Sequence, residues 1–214
     1  MRNFLRKWIP NYARLPMILC WAVQLGAYFL TKLIPHGAYI QVTLPVDREI
    51  PLVPAWILAY VGAYLYWILG YVLIFRISRA HCRVCARADI FSKLVCLVFF
   101  VLMPTRMDRP SVIGGGLLNW LVRFIYACDS PTNLFPSMHC LVSWLLAREL
   151  MRIKAYPAYV RWGAVVFSVL VFLSTLFTRQ HVVIDIFGGM ALAEISMLLS
   201  RLWERRLRRG EKLS

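Results

Sequence analysis

Along the chain, apolar runs alternate with short polar segments, and within the runs no polar face recurs at helical or strand spacing. A helix rising about 1.5 Å per residue needs about 20 apolar residues to cross a bilayer. Six runs meet or approach that length, at about 15–34, 54–75, 90–104, 139–155, 159–177 and 182–203. The third and fourth are short, so flanking residues are expected to extend them. The pattern predicts an all-α, polytopic membrane protein with six transmembrane helices in one bundle. No internal repeat, linker or soluble domain is visible, so residues 1–214 read as a single membrane domain.

The connections differ in character. The first outer one, "HGAYIQVTLPVDREIPLVPAW", has three prolines and no helical period, which predicts an irregular segment. The second, residues 105–138, contains Leu117, Trp120, Leu121, Phe124 and Ile125 at helical spacing. That predicts an extracytoplasmic interfacial helix on the outer leaflet, or a helix packed on the bundle, since Arg123 suits either.

Charge then orients the bundle. The net charge of +15 raises the question of nucleic acid. The basic residues, however, cluster between apolar runs and form no stripe interleaved with base-stacking aromatics, so no nucleic-acid partner is expected. Anionic headgroups and the positive-inside rule account for them. Arg2, Arg6, Lys7 and Arg14 precede the first run; Arg76, Arg79, Arg83, Arg87 and Lys93 follow the second. Arg148, Arg152, Lys154 and Arg161 follow the fourth, and Arg201, Arg205, Arg206, Arg208, Arg209 and Lys212 end the chain. These four segments hold 19 of the 25 basic residues, so both termini are expected in the cytoplasm, on an inner membrane. The opening "MRNFLRKWIPNYARLPM" superficially resembles a signal peptide. The run behind it is too long for an h-region and lacks a small-residue cleavage site, so it is expected to stay as the first span. Cys82 and Cys85 in "HCRVC" have metal-site spacing but no second ligand pair. In a reducing cytoplasmic loop they are expected as unpaired thiols, and neither a metal nor a cofactor is expected.

Three polar islands fit neither a span nor a bland loop: "PTRMDRP" at 104–110, "DSPTNLFPSMHC" at 129–140 and "STLFTRQHVVID" at 174–185. By parity all three lie on the extracytoplasmic face. They place His139, His181, Asp185 and the arginines Arg106, Arg109 and Arg179 at one interface. The chemistry matching that set is phosphoryl transfer. Guanidinium forks bind phosphate oxygens and stabilise transition-state charge. In "FTRQHVVIDIFGG", His181 and Asp185 are four residues apart, so on a helix they share one face. The carboxylate would hold one ring nitrogen while the other attacks phosphorus. His139 would protonate the leaving alkoxide and then activate water. No acidic cluster suits Mg²⁺, so arginines would supply the positive charge. Taken singly, the islands also read as headgroup anchors, a packing hydrogen bond or a transporter's proton path. Glu194, about 13 Å further along the last run, is expected to hydrogen-bond a neighbouring helix.

The islands resemble the three signature motifs of the type 2 phosphatidic acid phosphatase superfamily. Arg109–Pro110 matches the end of the first motif. Pro136, Ser137, Met138 and His139 match the second, P-S-G-H, with Met138 in place of glycine. Ser174, His181 and Asp185 match the spacing of the third, with Thr175 in place of its arginine. Leu102 stands where the first motif has a lysine. "VDREIPLVP" and "DSPTNLFPSMH" also look like the branch of inositol phosphorylceramide synthase-like lipid phosphotransferases. The resemblance implies a motif-bearing core at about 90–203. His181 is then the phosphohistidine nucleophile, Asp185 its orienting carboxylate and His139 the general acid. Arg109, Ser137 and Ser174 bind phosphate, while Arg106 and Arg179 are the candidates to replace the missing cations.

The function expected is an integral-membrane lipid phosphatase acting on a lipid phosphate monoester or diphosphate in the bilayer. Transfer to an alcohol acceptor, and a non-enzymatic transporter or scaffold with a degenerate site, are the alternatives. No oligomeric state is read from the sequence.

Overall fold

The structure, a computed structural model, describes residues 8–34 and 38–210. The expectations for Arg2, Arg6, Lys7 and Lys212, and for the start of the first outer connection at His36 and Gly37, lie outside the described residues. In chain order the elements are α1 (Asn11–Leu33), β1 (Ile40–Gln41), α2 (Pro45–Glu49), a 3-10 turn (Pro54–Trp56), α3 (Ile57–Ile77) and α4 (Arg79–Leu102). They continue with β2 (Thr105–Arg106), α5 (Leu117–Cys128), α6 (Met138–Leu150), α7 (Ala158–Phe177) and α8 (Val183–Gly210).

Apart from His139 at its start and Arg148 and Glu149 near its end, α6 is made of apolar and small residues, and the helix becomes the hub of the bundle. Ten of its thirteen residues are buried, and it packs on α3, α4, α7 and α8. A helix with apolar residues around most of its circumference is buried rather than amphipathic. Side-chain bonds between helices add direction: Trp67 Nε1 donates to Ser143 Oγ at 2.9 Å, and Ser168 Oγ donates to the Ser143 carbonyl at 2.9 Å. Glu194 of α8 accepts from Trp144 Nε1 at 2.9 Å and pairs with Arg148, both on α6. α1 lies outside the hub, mainly against α4.

Four helical segments are long and apolar enough to cross a membrane: Asn11–Thr31, Pro54–Ile77, Ala158–Phe177 and Val183–Arg209. The other two expected spans differ from their predicted bounds. The third, expected at 90–104, is α4 and starts at Arg79, eleven residues earlier. Its polar first half is helical because its charges pair within the bundle. Arg83 and Arg87 both engage Glu204, and Lys93 engages Asp89 at 2.7 Å. Lys93 therefore counts as a buried helix residue, not a loop cation. Cys82 and Cys85 lie on the same helix as buried free thiols, not in a loop. The fourth, expected at 139–155, is helical only over Met138–Leu150, about 20 Å, and then breaks into turns ahead of Pro157.

The connections expected on the outer side are more ordered than their composition suggests. The first contains β1, which pairs in parallel with β2 (Ile40 with Thr105, Gln41 with Arg106), and α2. The second contains α5. One face of α5, with Val122, Leu118, Leu121 and Ile125, packs on Ile57 and Tyr60 of α3. Leu117, Trp120 and Phe124 on the other face are exposed.

Candidate active site

The turn that carries His181 is held from three directions. The backbone nitrogens of Gln180 and His181 both donate to the Thr175 carbonyl, at 2.8 and 3.1 Å, which folds the chain back from the end of α7. Arg179 adopts a left-handed φ of 54° to make that reversal. Asp47 of α2 then caps α8 from far away in sequence: its Oδ1 accepts from Val183 N at 2.8 Å. Asp47 Oδ2 accepts from Leu44 N at 2.7 Å, and its own carbonyl accepts from the Arg179 guanidinium. At the start of α8, Asp185 Oδ2 accepts from His181 Nδ1 at 3.2 Å and from Val182 N at 3.0 Å. Asp185 is fully buried. A carboxylate in that position keeps the proton on Nδ1 and leaves Nε2 with a free lone pair.

His139 is the second residue of α6. Ser137 caps that helix, its Oγ accepting from Cys140 N at 3.3 Å, and Ser137 N donates to the Asp185 carbonyl at 3.1 Å. The starts of α6 and α8 are thus tied directly together. They can meet because Gly188 and Gly189 follow: a Cβ at 189 would lie 2.6 Å from the Ser137 carbonyl oxygen, and one at 188 would lie 2.3 Å from the Phe135 ring. The outcome is that the His139 and His181 rings sit 6.0 Å apart between centroids. His139 also stacks on Tyr60 at 4.4 Å and lies against Tyr64 and Trp67 at 5.8 and 5.2 Å. Its Nε2 is buried without a hydrogen-bond partner.

Both histidines open on a cavity of about 280 Å³ walled by α1, α3, α5 and the segment before α6. Buried atoms without partners gather on its lining: Gln24 Oε1, Asn133 Oδ1 and Gln180 Nε2 join His139 Nε2. Buried polar groups without partners are costly, so their convergence marks a place for a polar ligand. Two helix N-termini, those of α6 and α8, meet at the histidines and contribute partial positive charge there.

The sequence-predicted residues divide into two groups. His139, His181 and Asp185 come together, with Ser137 beside them as the α6 cap. Arg109 is adjacent but fully engaged. Its Nε donates to the Arg179 carbonyl at 3.2 Å, its other donors reach the Asp129 carbonyl and Gln180 Oε1, and it lies 4.7 Å over the Tyr126 ring. Burial pulls its pKa down from the ordinary arginine value, and Asp129 is the largest opposing influence. Arg109 reaches the cavity through Gln180, not directly.

The remaining three lie elsewhere. Arg179 turns its guanidinium onto the carbonyls of Asp47 and Ile50, the latter at 3.2 Å. Arg106 is exposed on β2. Ser174 is buried within α7, donating to the Val171 carbonyl at 2.7 Å. In these placements neither the Arg106 nor the Arg179 guanidinium lines the cavity. Backbone carbonyls freed at the chain reversals capture arginine more readily than the cavity does. Among the described residues lining the cavity there is no lysine or arginine. No described group of three or more His, Cys, Asp or Glu side chains is arranged to hold a metal.

Asp47, Gln180, Asn133, Gln24 and the tyrosines Tyr60 and Tyr64 went unnoticed in the sequence. Asp47 had a legible signal, an acid behind a proline in an outer loop, but its partner is 136 residues away.

Residues 122–199 match the family model described as the PAP2 superfamily. The match spans His139, His181 and Asp185 and supports the resemblance to the type 2 phosphatidic acid phosphatase superfamily. No curated protein and no solved structure matches the chain.

Proposed function

We propose, proceeding from the PAP2-superfamily match over residues 122–199, that the protein is an integral-membrane phosphatase that cleaves a lipid phosphate ester through a phosphohistidine. The observation that carries the reading is the pair of imidazoles 6.0 Å apart on one cavity, one of them backed by a buried carboxylate. His181 Nε2 attacks phosphorus while Nδ1–H remains on Asp185. The bond from phosphorus to the lipid oxygen breaks, and that oxygen takes its proton from His139. Water then attacks the phosphohistidine, gives its proton to His139 and releases His181. The Gln180 amide and the two helix N-termini face the phosphoryl oxygens. Arg109 fixes Gln180.

The site is placed at the outer leaflet of an inner membrane, with both termini in the cytoplasm. Support comes from the basic side chains: Arg83, Arg87, Arg201, Arg205 and Arg208 all lie toward the bundle end opposite the histidines. α5 then rests on the outer leaflet through Trp120 and Phe124.

The cation-poor lining favours a second reading, transfer of a headgroup-bearing phosphoryl group from a lipid phosphodiester to an alcohol: one phosphorus–oxygen bond breaks, the other ester stays on the transferred phosphorus, and the alcohol oxygen takes the place of the leaving lipid oxygen. A diester carries one negative charge where a monoester carries up to two, and neutral amides and hydroxyls suffice for it. Gln24, Ser130, Thr132 and Asn133 supply such groups around the cavity.

Purified protein incubated with lipid phosphate monoesters and diesters, with and without alcohol acceptors, separates the two. Phosphate release supports hydrolysis, and acceptor-dependent product supports transfer. His181→Gln is expected to abolish both reactions and the acid-labile phosphoenzyme without loss of fold. Activity retained in that variant removes histidine as the nucleophile. His139→Ala is expected to slow poor leaving groups more than activated ones, and uniform slowing refutes its role as acid.

A further inference from the structure

At the end of the bundle opposite the histidines, α4, α6 and α8 converge on a second cavity of about 220 Å³. Two buried carboxylates form its floor. Glu149 is engaged by His81 Nδ1 at 2.6 Å and by Arg201 at 2.7 Å. Glu204 is engaged by Arg83 and Arg87 from α4, with Arg208 at 3.6 Å. Glu204 is therefore already matched by more than one cation, and both oxygens of Glu149 are engaged, one by Arg201 and one by the His81 ring. Arg152 and Arg205 also line this cavity, and neither has an acidic partner within ion-pair distance among the described residues.

Charge decides what the cavity accepts. Six arginines (83, 87, 152, 201, 205 and 208) surround two glutamates, so the cluster keeps a surplus of positive charge even with His81 neutral. The surplus is held by arginines, whose planar forks match phosphate oxygens two at a time. A cation would be repelled, and the carboxylates have no spare capacity for a neutral donor. The surroundings indicate the ligand's source. Arg87 lies 5.9 Å over the ring of Trp203, and Trp203, Leu202 and Leu207 are exposed on α8 beside the pocket. A tryptophan and leucines flanking an arginine cluster at a helix end are the composition of a headgroup-depth surface.

We infer that this pocket binds the phosphate headgroup of an anionic membrane lipid in the leaflet opposite the catalytic cavity, with Arg152 and Arg205 as its free ligands. The site is independent of the catalytic reading, because it is built from different residues and its test reads binding.

The test uses the full chain in nanodiscs of phosphatidylcholine, alone or with phosphatidylglycerol, read by native mass spectrometry and thermal unfolding. Arg152→Gln/Arg205→Gln removes the unpaired ligands and leaves Glu149 and Glu204 matched. Arg206→Gln/Arg209→Gln removes the same charge from exposed positions outside the cavity. Wild type and the second variant are expected to retain phosphatidylglycerol and to unfold at a higher temperature with it. The first variant is expected to lose retention about tenfold and to lose the shift. Equal loss in both variants, or in neither, overturns the site. A lipid-free sample titrated with inorganic phosphate is expected to show a smaller shift. If phosphate alone gives the full shift and displaces the lipid, the lipid assignment is overturned.

Discussion

Gly189→Ala tests the geometry on which the catalytic reading stands. The added methyl would lie 2.6 Å from the Ser137 carbonyl oxygen, 3.0 Å from Leu141 N and 3.2 Å from Cys140 Cβ. Two of these are backbone atoms, so no rotamer change relieves the contact. Ordinary contact begins at 3.4 Å, so the starts of α6 and α8 must separate by about 0.8 Å. That displacement acts directly on the spacing between His139 and His181, one at each helix start. Overpacking costs about 1–3 kcal/mol, offset by about 1 kcal/mol of helix propensity gained on replacing glycine. At about 2–4 °C per kcal/mol for a chain of this size, the melting temperature should fall by only a few degrees. A misplacement near 1 Å costs about 100-fold in turnover. Activity is therefore expected to drop far more than stability. The assay pairs turnover of a lipid phosphate with melting in detergent. Gly163→Ala is the control, since nothing lies within 4 Å of its Cβ position. Turnover within twofold of wild type in a folded Gly189→Ala protein refutes the claim that this helix contact sets the imidazole spacing.

Asp47→Ala removes both the α8 cap and the Leu44 contact. It is expected to cost about 1–2 kcal/mol, read as a lower melting temperature, with reduced turnover because the His181 turn loses its anchor. Asp47→Asn, which keeps one acceptor, should fall between. Lys93 donates to Asp89, to the Cys20 carbonyl and to Tyr71 OH, all buried. Lys93→Met strands the Asp89 charge and is expected to destabilise by about 3–5 kcal/mol, while Asp89→Asn/Lys93→Met recovers most of it. Equal melting temperatures for the single and double variants refute a charge-pairing role.

The helical, strongly apolar character of the chain, with helices long enough to cross a bilayer, was legible because it follows from local sums: run length and apolarity. The pairing of His181 with Asp185 was legible, because a spacing of four is a local pattern, and the two polar islands carrying His139 and His181 do meet. Where the Arg179 guanidinium settles was not legible, for a physical reason. An arginine beside a chain reversal finds backbone carbonyls first, as Arg179 does at Asp47 and Ile50, and sequence does not show which carbonyls a fold leaves open. The bounds of α4 misled similarly. Its charges looked like loop charges until Glu204, more than a hundred residues away, supplied their partner.

By itself, then, the sequence determined which segments are long and apolar enough to span a bilayer and which reactive groups the chain offers, since apolar run length and side-chain chemistry belong to each segment alone. Only the tertiary structure decided that the two imidazoles meet, that Asp47 holds the turn carrying His181, that arginine stays off the described lining of the cavity between them, and that a surplus of it collects at the opposite end. Those outcomes depend on how closely helices distant in sequence approach one another. That distance is set by pairs such as Gly189 and Ser137, whose contact exists only once the chain is folded.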